Sequence, residues 1–475
     1  MLFTFLKYIS PTWYFNLIPE DQSIPYFVDY RKLRTEEHDL LDIDDGYKTL
    51  HGKLADAAYQ AWQKGIIKSD PRMTIYSSGV ISRPANYRTV NLFGDRNVKV
   101  SDESAVTNVN DNYRFIRRFF HPGISWHIFF VRLLSFHNPL MEIPAFVRSL
   151  KISRVDLYSR NAFELYADQY NGFDSELIKS NPKVSVIIPT LNRYEYLKDV
   201  LADLEKQTYR NIEVIVCDQS EPFDNDFYRG WELDIKLIRQ EEKALWLARN
   251  TSIRKAAGEY ILLFDDDSRI KPDWITQHLK CLDYFKADIS SGVSLSVVGG
   301  KIPENYSFFR WSDQIDTGNV MYRKDMMRLT GMFDRQFEGQ RQGDGEFGLR
   351  CYLLGLHNVS NPLAGRIHLK VAEGGLRQMG SWDGLRPKKF FAPRPVPSVL
   401  YLSRKYFGNH STKLMLLFTI PGSIVPYKFK SKKWPRILTG ISMIILWPFL
   451  MLQVLVSWHK ADLKLRQGGM IETLK

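Results

Sequence analysis

The rhythm of apolar and polar positions changes near residue 183. From there, short apolar runs alternate with segments of helical spacing. VSVIIP at 184–189 is a continuous apolar run, and in 194–207 Leu197, Val200, Leu201 and Leu204 recur on one helical face. IEVIVC at 212–217 and IKLIR at 235–239 are two more strand-length runs. Residues 244–257, rich in Ala and Leu, predict a helix, and YILLF at 260–264 a fourth strand. Strands alternating with helices at this spacing predict an α/β unit, a mostly parallel sheet with helices on both faces. Pro272 starts another helix to about residue 285, mixed strand and turn signals follow to Arg323, and Asp344 and Glu346 open a helix that stops at Gly355.

Residues 1–180 are less regular and predict a separate α+β domain. Residues 51–65 form an amphipathic helix stopped by Gly65, 73–101 is β-rich around the turn Phe93-Gly94-Asp95, and 158–170 is helical. The acidic run 36–45 predicts a solvated face. It is no calcium loop, because placing Gly46 at the sixth position puts Leu41 and Ile43 where ligands belong. The stretch 113–136 carries Phe115, Arg117, Arg118, Phe119, Phe120, Trp126, Phe129, Phe130 and Arg132. It fits a helix packed on its neighbours, with an aromatic and cationic segment at a membrane interface as the alternative. Asn171-Gly172 and Asn181-Pro182 punctuate a linker, giving domains at 1–180, 181–395 and 396–475.

Composition adds bounds. At 475 residues, 44% hydrophobic and 25% charged, the chain is an ordinary folded protein of two or three domains. Cys217, Cys281 and Cys351 are far apart in sequence, which suits a reducing compartment and gives no metal-ligand spacing. The apolar start MLFTFLKYISP is cut by Lys7 and Pro11, so no signal peptide is expected. The net charge of +12 is concentrated at one end: residues 401–475 hold twelve Lys and Arg against two Asp and Glu. That asymmetry favours a tail meeting an anionic surface over a nucleic-acid binder. In this tail 414–427 is short and broken by Pro421 and Pro426, whereas 437–457 is a 21-residue stretch without charge. That length is near the roughly 20 residues a bilayer requires. Lys428, Lys430, Lys432, Lys433 and Arg436 precede it and Lys460, Lys464 and Arg466 follow. The expectation is a helical, membrane-associated tail over 414–457, single-pass or re-entrant at Pro448, on the cytoplasmic side of the cell membrane.

The strand at 260–264 breaks into Asp265, Asp266 and Asp267. Three acids at the end of a buried strand repel one another and resist desolvation unless something neutralises them. A hard divalent cation does so and shares its remaining positions with phosphate, although a solvated acidic turn fits the triplet too. Pro189-Thr190, Asp218 and the triplet all stand at carboxyl ends of strands, the edge where ligands bind in such sheets. Asp344 and Glu346 occupy a first helical turn, where the helix dipole favours acids and a general base could also face a cleft.

Residues 183 to about 380 resemble glycosyltransferase family 2, the inverting enzymes of the GT-A nucleotide-diphospho-sugar transferase fold. VSVIIPTLNR, IEVIVCDQS, LARNTSIRKAAGEYILLFDDDS, the FDRQF segment and GDGEFGLRCYLLG carry the likeness by their order and spacing. The resemblance implies a nucleotide-sugar donor, bound by Pro189, Thr190, Asn192, Arg193, Asp218, Arg249, Asn250, Asp265 and Asp266. It implies Mn2+ or Mg2+ held by Asp267 and Asp265, completed by His368, with Asp344 as general base and Glu346 as understudy. The loop 373–377 could fold over the diphosphate. The sequence departs from the family pattern in two places: Cys217-Asp218-Gln219-Ser220 replaces the usual Asp-Asp-Gly-Ser, and Gly343 stands where Glu precedes the catalytic Asp. No Gln-x-x-Arg-Trp follows the acidic helix, and Phe308-Phe309-Arg310-Trp311 comes too early to serve, so single addition to a glycan or lipid-linked acceptor is implied. A sugar nucleotidyltransferase would instead need a Gly-rich phosphate loop where Pro189-Thr190-Leu191-Asn192 stands, and a non-catalytic scaffold on the same fold is the other alternative.

Overall fold

The computed structural model describes residues 1–21, 26–67, 71–77, 79, 81–104, 106–296, 304–371, 375, 384–387, 389, 391–424 and 433–474. The expected diphosphate loop, apart from Gly375, and Lys428, Lys430 and Lys432 lie outside these residues.

Near the N-terminus, β1 (Ile18–Pro19), β2 (Arg88–Phe93) and β3 (Arg96–Ser101) form a small antiparallel sheet. Gly94, at φ +49°, turns the chain between β2 and β3 at the Phe93-Gly94-Asp95 signal. The helices Leu50–Gln63, Val109–Phe119, Pro122–Leu134, Pro139–Ser149 and Phe163–Asn171 complete this part. The acidic run is not simply solvated: Glu37 is fully buried and paired with Arg34, and Asp44 pairs with both Arg114 (2.5 Å) and Arg118 (2.9 Å). The run therefore fastens neighbouring elements, a role that spacing alone does not reveal.

The principal sheet contains β4 (Val184–Thr190), β5 (Ile212–Asp218), β6 (Ile235–Arg239), β7 (Tyr260–Phe264), β8 (Ser268–Ile270), β9 (Ile289–Ser296), β10 (Arg310–Trp311), β11 (Asn319–Arg323) and β12 (Asn358–His368). Their order is β10-β12-β9-β11-β7-β4-β5-β6, with β8 on β12. The four predicted strands all form, and β7–β4–β5–β6 is parallel. The far half is different. β11 runs antiparallel to β7 and β9, and β10 and β8 run antiparallel to β12. The sheet is therefore mixed rather than mostly parallel, because β11 enters beside β7 from the opposite direction.

Continuous apolar runs suit strands covered on both faces. Val184, Val186 and Ile188 of β4 pack into one core with Leu197, Val200, Leu201 and Leu204 of the helix Tyr194–Glu205. Ile187 points the other way, into a core with Ala248 and Ile253 of the helix Leu245–Lys255. That second core continues without a break into the N-terminal part, through Phe3, Phe15, Trp62, Trp311 and Tyr352. Trp62 Nε1 donates to Trp311 O (3.0 Å), and Tyr352 OH donates to Leu17 O (2.6 Å).

The C-terminal helices Pro397–Gly422 and Lys433–Gln467 pack on each other and on the principal domain. Leu450, Val454 and Ala461 are buried, and Ser457 Oγ donates to Pro395 O (2.5 Å). Beyond them the chain straps back over residues 332–336: Met332 N donates to Glu472 O (2.8 Å) and Arg335 N to Met470 O (3.2 Å). Among the described residues no helix is long and apolar enough to cross a membrane, so the single-pass expectation for 437–457 is not supported.

Candidate active site

β4, β5 and β7 end together, and their carboxyl ends carry the site. Thr190 Oγ1 donates to Asp266 Oδ2 (2.8 Å), which ties the ends of β4 and β7. Asn192 adopts φ +53°, a value an Asn tolerates, and this turn leads Arg193 back across the triplet. Arg193 bonds Asp266 (3.0 Å), pairs with Asp267 (3.3 Å) and donates to Val371 O (3.2 Å). A Cβ at Gly375 would collide with the Arg193 guanidinium, so Gly375 sits tight against this cation.

Asp218, at the end of β5, is fully buried and satisfied by three donors: Tyr194 OH (2.7 Å), Tyr228 OH (2.8 Å) and Ser220 N (2.8 Å). Burial, followed by the charge of Asp218, pushes the Tyr228 phenol well above its ordinary range. The loop after β5 is locked to the loop after β4, with Asn192 N donating to Ser220 Oγ (2.7 Å) and Glu221 N to Asn192 Oδ1 (2.8 Å). Pro189 lies beside Cys217 in the β4–β5 register.

The three acids after β7 have separate tasks. Asp265 is gripped by Arg249 (3.1 Å) and Arg366 (2.9 Å). Asp266 is turned inward; burial, with Asp267 next to it, raises its carboxyl to about 6 against the pull of Arg193. Asp267 faces His368, with Nε2 to Oδ1 at 3.2 Å. Donor atoms of Asp265, Asp267 and His368 all lie within 4.8 Å of one another. Two carboxylates and an imidazole form a donor set suited to Mn2+ or Mg2+. β12 makes this possible: His368 is its last residue and pairs with Ser268 on β8, while Arg366 lies two residues earlier on the same strand face.

Arg366 went unnoticed in the sequence, although its place two residues before His368 was the available signal. It is fully buried and holds both Asp265 and Asp316 (2.9 Å each). Burial raises the Asp316 carboxyl, but Arg366 together with the bonds from Ser294 Oγ and Gly318 N brings the group down to about 2.

Arg249 also bonds Thr317 Oγ1 (2.8 Å) and Thr317 O (2.9 Å). Its neighbour Asn250 does not reach the site. It is fully buried, and both ends of its amide close on the backbone of Phe333, at 2.9 and 3.0 Å. Asn250 thus positions the 332–336 loop and is corrected from a donor contact.

The helix Gly343–Leu353 presents Asp344 in its first turn, half-buried, with Oδ1 accepting from Gly345 N (2.8 Å). Tyr14 reaches in from the N-terminal part and donates to Gly345 O. Burial and then the charge of Asp344 raise its phenol far above the ordinary range. Glu346 points the other way. It is fully buried between Arg350 (2.8 Å), Tyr406 and Lys405 (3.6 Å). Burial raises its carboxyl, yet these partners together bring it below the usual range. Glu346 is therefore a strut to the C-terminal helix and is corrected from understudy base.

Gly343 has a spatial reason. A Cβ there would overlap the ring of Trp246. The Arg249 guanidinium lies over the same indole at 5.2 Å. Gly343, Trp246, Arg249 and Asp265 thus form one line of contacts, which brings the start of the Asp344 helix to the side of the sheet that carries the acids.

Residues 185–333 match the family model described as glycosyl transferase family 2. Over 114 residues the chain is 33% identical to the glycosyltransferase GlyA of Streptococcus pneumoniae, covering 23% of this chain and 16% of that protein. Over 224 residues it is 26% identical to the chondroitin synthase of Escherichia coli, covering 37% of this chain and 33% of that one. The chain thus spans a third or less of the length of these curated relatives. Among solved structures, Staphylococcus aureus TarS 1–349 in complex with UDP-GlcNAc is 20% identical, with a TM-score of 0.37 over 50% of this chain and 71% of that one. The matching segment, from β4 to the loop that Asn250 clamps, is thus similar to glycosyl transferase family 2.

Proposed function

We propose that the chain is an inverting, non-processive glycosyltransferase at the cytoplasmic membrane face. It would move a sugar from a nucleotide-diphosphate donor to a hydroxyl of a glycan or lipid-linked acceptor. The observation that carries this reading is the convergence of Asp265, Asp267 and His368 at the carboxyl edge of the sheet, where ligands bind. Bound there, Mn2+ or Mg2+ would offset the negative charge that builds on a departing diphosphate. Arg193, against Asp266 and Asp267, adds a fixed cation on the same side. Thr190 and Pro189 line the nucleotide side, and Asp218, with Tyr194 and Tyr228 on its carboxylate, presents acceptors and donors to a base or ribose. Asp344 takes the proton of the attacking hydroxyl. A single displacement inverts the anomeric carbon and needs no covalent nucleophile.

Calorimetry tests the site. UDP or GDP is expected to bind more tightly with Mn2+ present than without. Asp267→Ala and His368→Ala should each weaken the Mn2+-dependent part by about tenfold or more. Binding indifferent to Mn2+ and to both substitutions contradicts the reading.

A further inference from the structure

The helices Pro122–Leu134 and Pro139–Ser149 form a hairpin that takes no part in the site above. Its inner face is finished: Phe129 stacks on Phe146 (4.3 Å), and Arg132 pairs with Glu142 (2.5 Å) out of solvent. Its outer face is a stripe of large apolar side chains. Trp126, Phe130 and Leu134 recur at one-turn spacing on the first helix, and Leu140 and Val147 stand exposed on the second. Leu134 is 79% exposed, Leu140 83%, and Phe136 at the tip 97%. Phe136 is moreover held at φ +57°, a conformation a bulky residue adopts at a cost, and no buried contact of its ring repays it. A soluble surface rarely carries so many apolar side chains together.

Charge selects the occupant. Between residues 121 and 155 the one carboxylate is Glu142, buried and neutralised by Arg132. The exposed charges there, Arg148, Lys151 and Arg154, are all cationic. The hairpin also leads into the C-terminal pair: His127 meets Phe418 edge-to-face (5.4 Å), next to the exposed Leu417. The following helix exposes Ile445, Leu452 and Leu455. Apolar stripes with aromatics, flanked by cations, match the interface of an anionic bilayer, although Arg148, Lys151 and Arg154 share a groove with Asp42 and Asp44.

We propose that this hairpin is a monotopic anchor, which inserts Trp126, Phe130, Leu134, Phe136 and Leu140 into an anionic lipid surface and meets the headgroups with Arg148, Lys151 and Arg154. The proposal specifies the membrane location in the reading above and does not depend on transfer chemistry, so its test uses neither donor nor metal. The full chain is floated with vesicles of phosphatidylcholine alone and of phosphatidylcholine mixed equally with phosphatidylglycerol. It should rise with the anionic vesicles, and Phe130→Asp/Phe136→Asp/Leu140→Asp should cut that binding by about tenfold or more. The circular dichroism of the triple variant should match the parent, since all three side chains are exposed. Arg148→Gln/Lys151→Gln/Arg154→Gln should weaken binding on anionic vesicles only. A fluorophore on Phe136→Cys should shift to the blue with anionic vesicles, the native cysteines being buried. The proposal is overturned if the chain stays down with both vesicles or if the triple variant floats like the parent. It is also overturned if the label is unmoved, or if sedimentation shows a dimer that the triple variant dissolves without any vesicle binding.

Discussion

Asp344 and Glu346 stand two residues apart and do opposite things. Asp344 is half-buried at the helix start, while Glu346 is sealed against Arg350 and Tyr406. Asp344→Asn should therefore lower turnover by about a hundredfold or more with the melting temperature nearly unchanged. Glu346→Gln should do the reverse, costing on the order of 3 kcal/mol of stability by leaving Arg350 buried without its counter-charge, as read by urea unfolding. Gly343 supplies a sharper case. Gly343→Ala should destabilise by roughly 1–3 kcal/mol through overpacking against Trp246, and Trp246→Leu in the same chain should return part of that loss. At this scale the acids were legible because they follow a strand or open a helix. Trp246 and Arg366 were not, since their importance lies in what they touch across the sheet. Asn250 was misplaced for the same reason: its amide turns towards Phe333.

Strands and helices from 184 to 285 could be read from apolar spacing, because β4 and β7 are buried along their whole length and helical faces repeat regularly. The direction of β11 could not, since antiparallel and parallel partners impose the same alternation on a short buried strand. Hydrogen bonds between elements decide more than pattern there. His278, on the helix Trp274–Phe285, bonds Ser290 Oγ on β9 (2.9 Å) and Asn319 Oδ1 on β11 (3.0 Å). Burial lowers its imidazole from 6.5 to about 4. The folded state thus resists a proton that the unfolded chain accepts. The resulting stability is present above pH 6.5 and is lost as pH falls towards 4, by on the order of 3 kcal/mol. Urea unfolding across this window should show that loss in the parent and a flatter profile in His278→Asn.

In the whole molecule, the N-terminal part and the sheet share a core, and the C-terminal strap completes the loop that Asn250 holds. The strap gave no sequence signal, because its bonds to Met332 and Arg335 are made by the backbone carbonyls of Glu472 and Met470. Ending the chain at residue 467 should cost about 1–2 kcal/mol for each abandoned buried bond. It should also lower turnover more than donor affinity, since Asp344 follows the loop so released; melting curves and kcat against KM report both. The central claim is that the acids after β7 hold a sugar donor opposite Asp344. Its most direct test is the rate of nucleoside diphosphate release from a set of UDP- and GDP-sugars with Mn2+, for the parent and for Asp344→Asn. The account predicts release from at least one donor, reduced about a hundredfold or more by the substitution. No release from any donor, or release equal in both proteins, would contradict it.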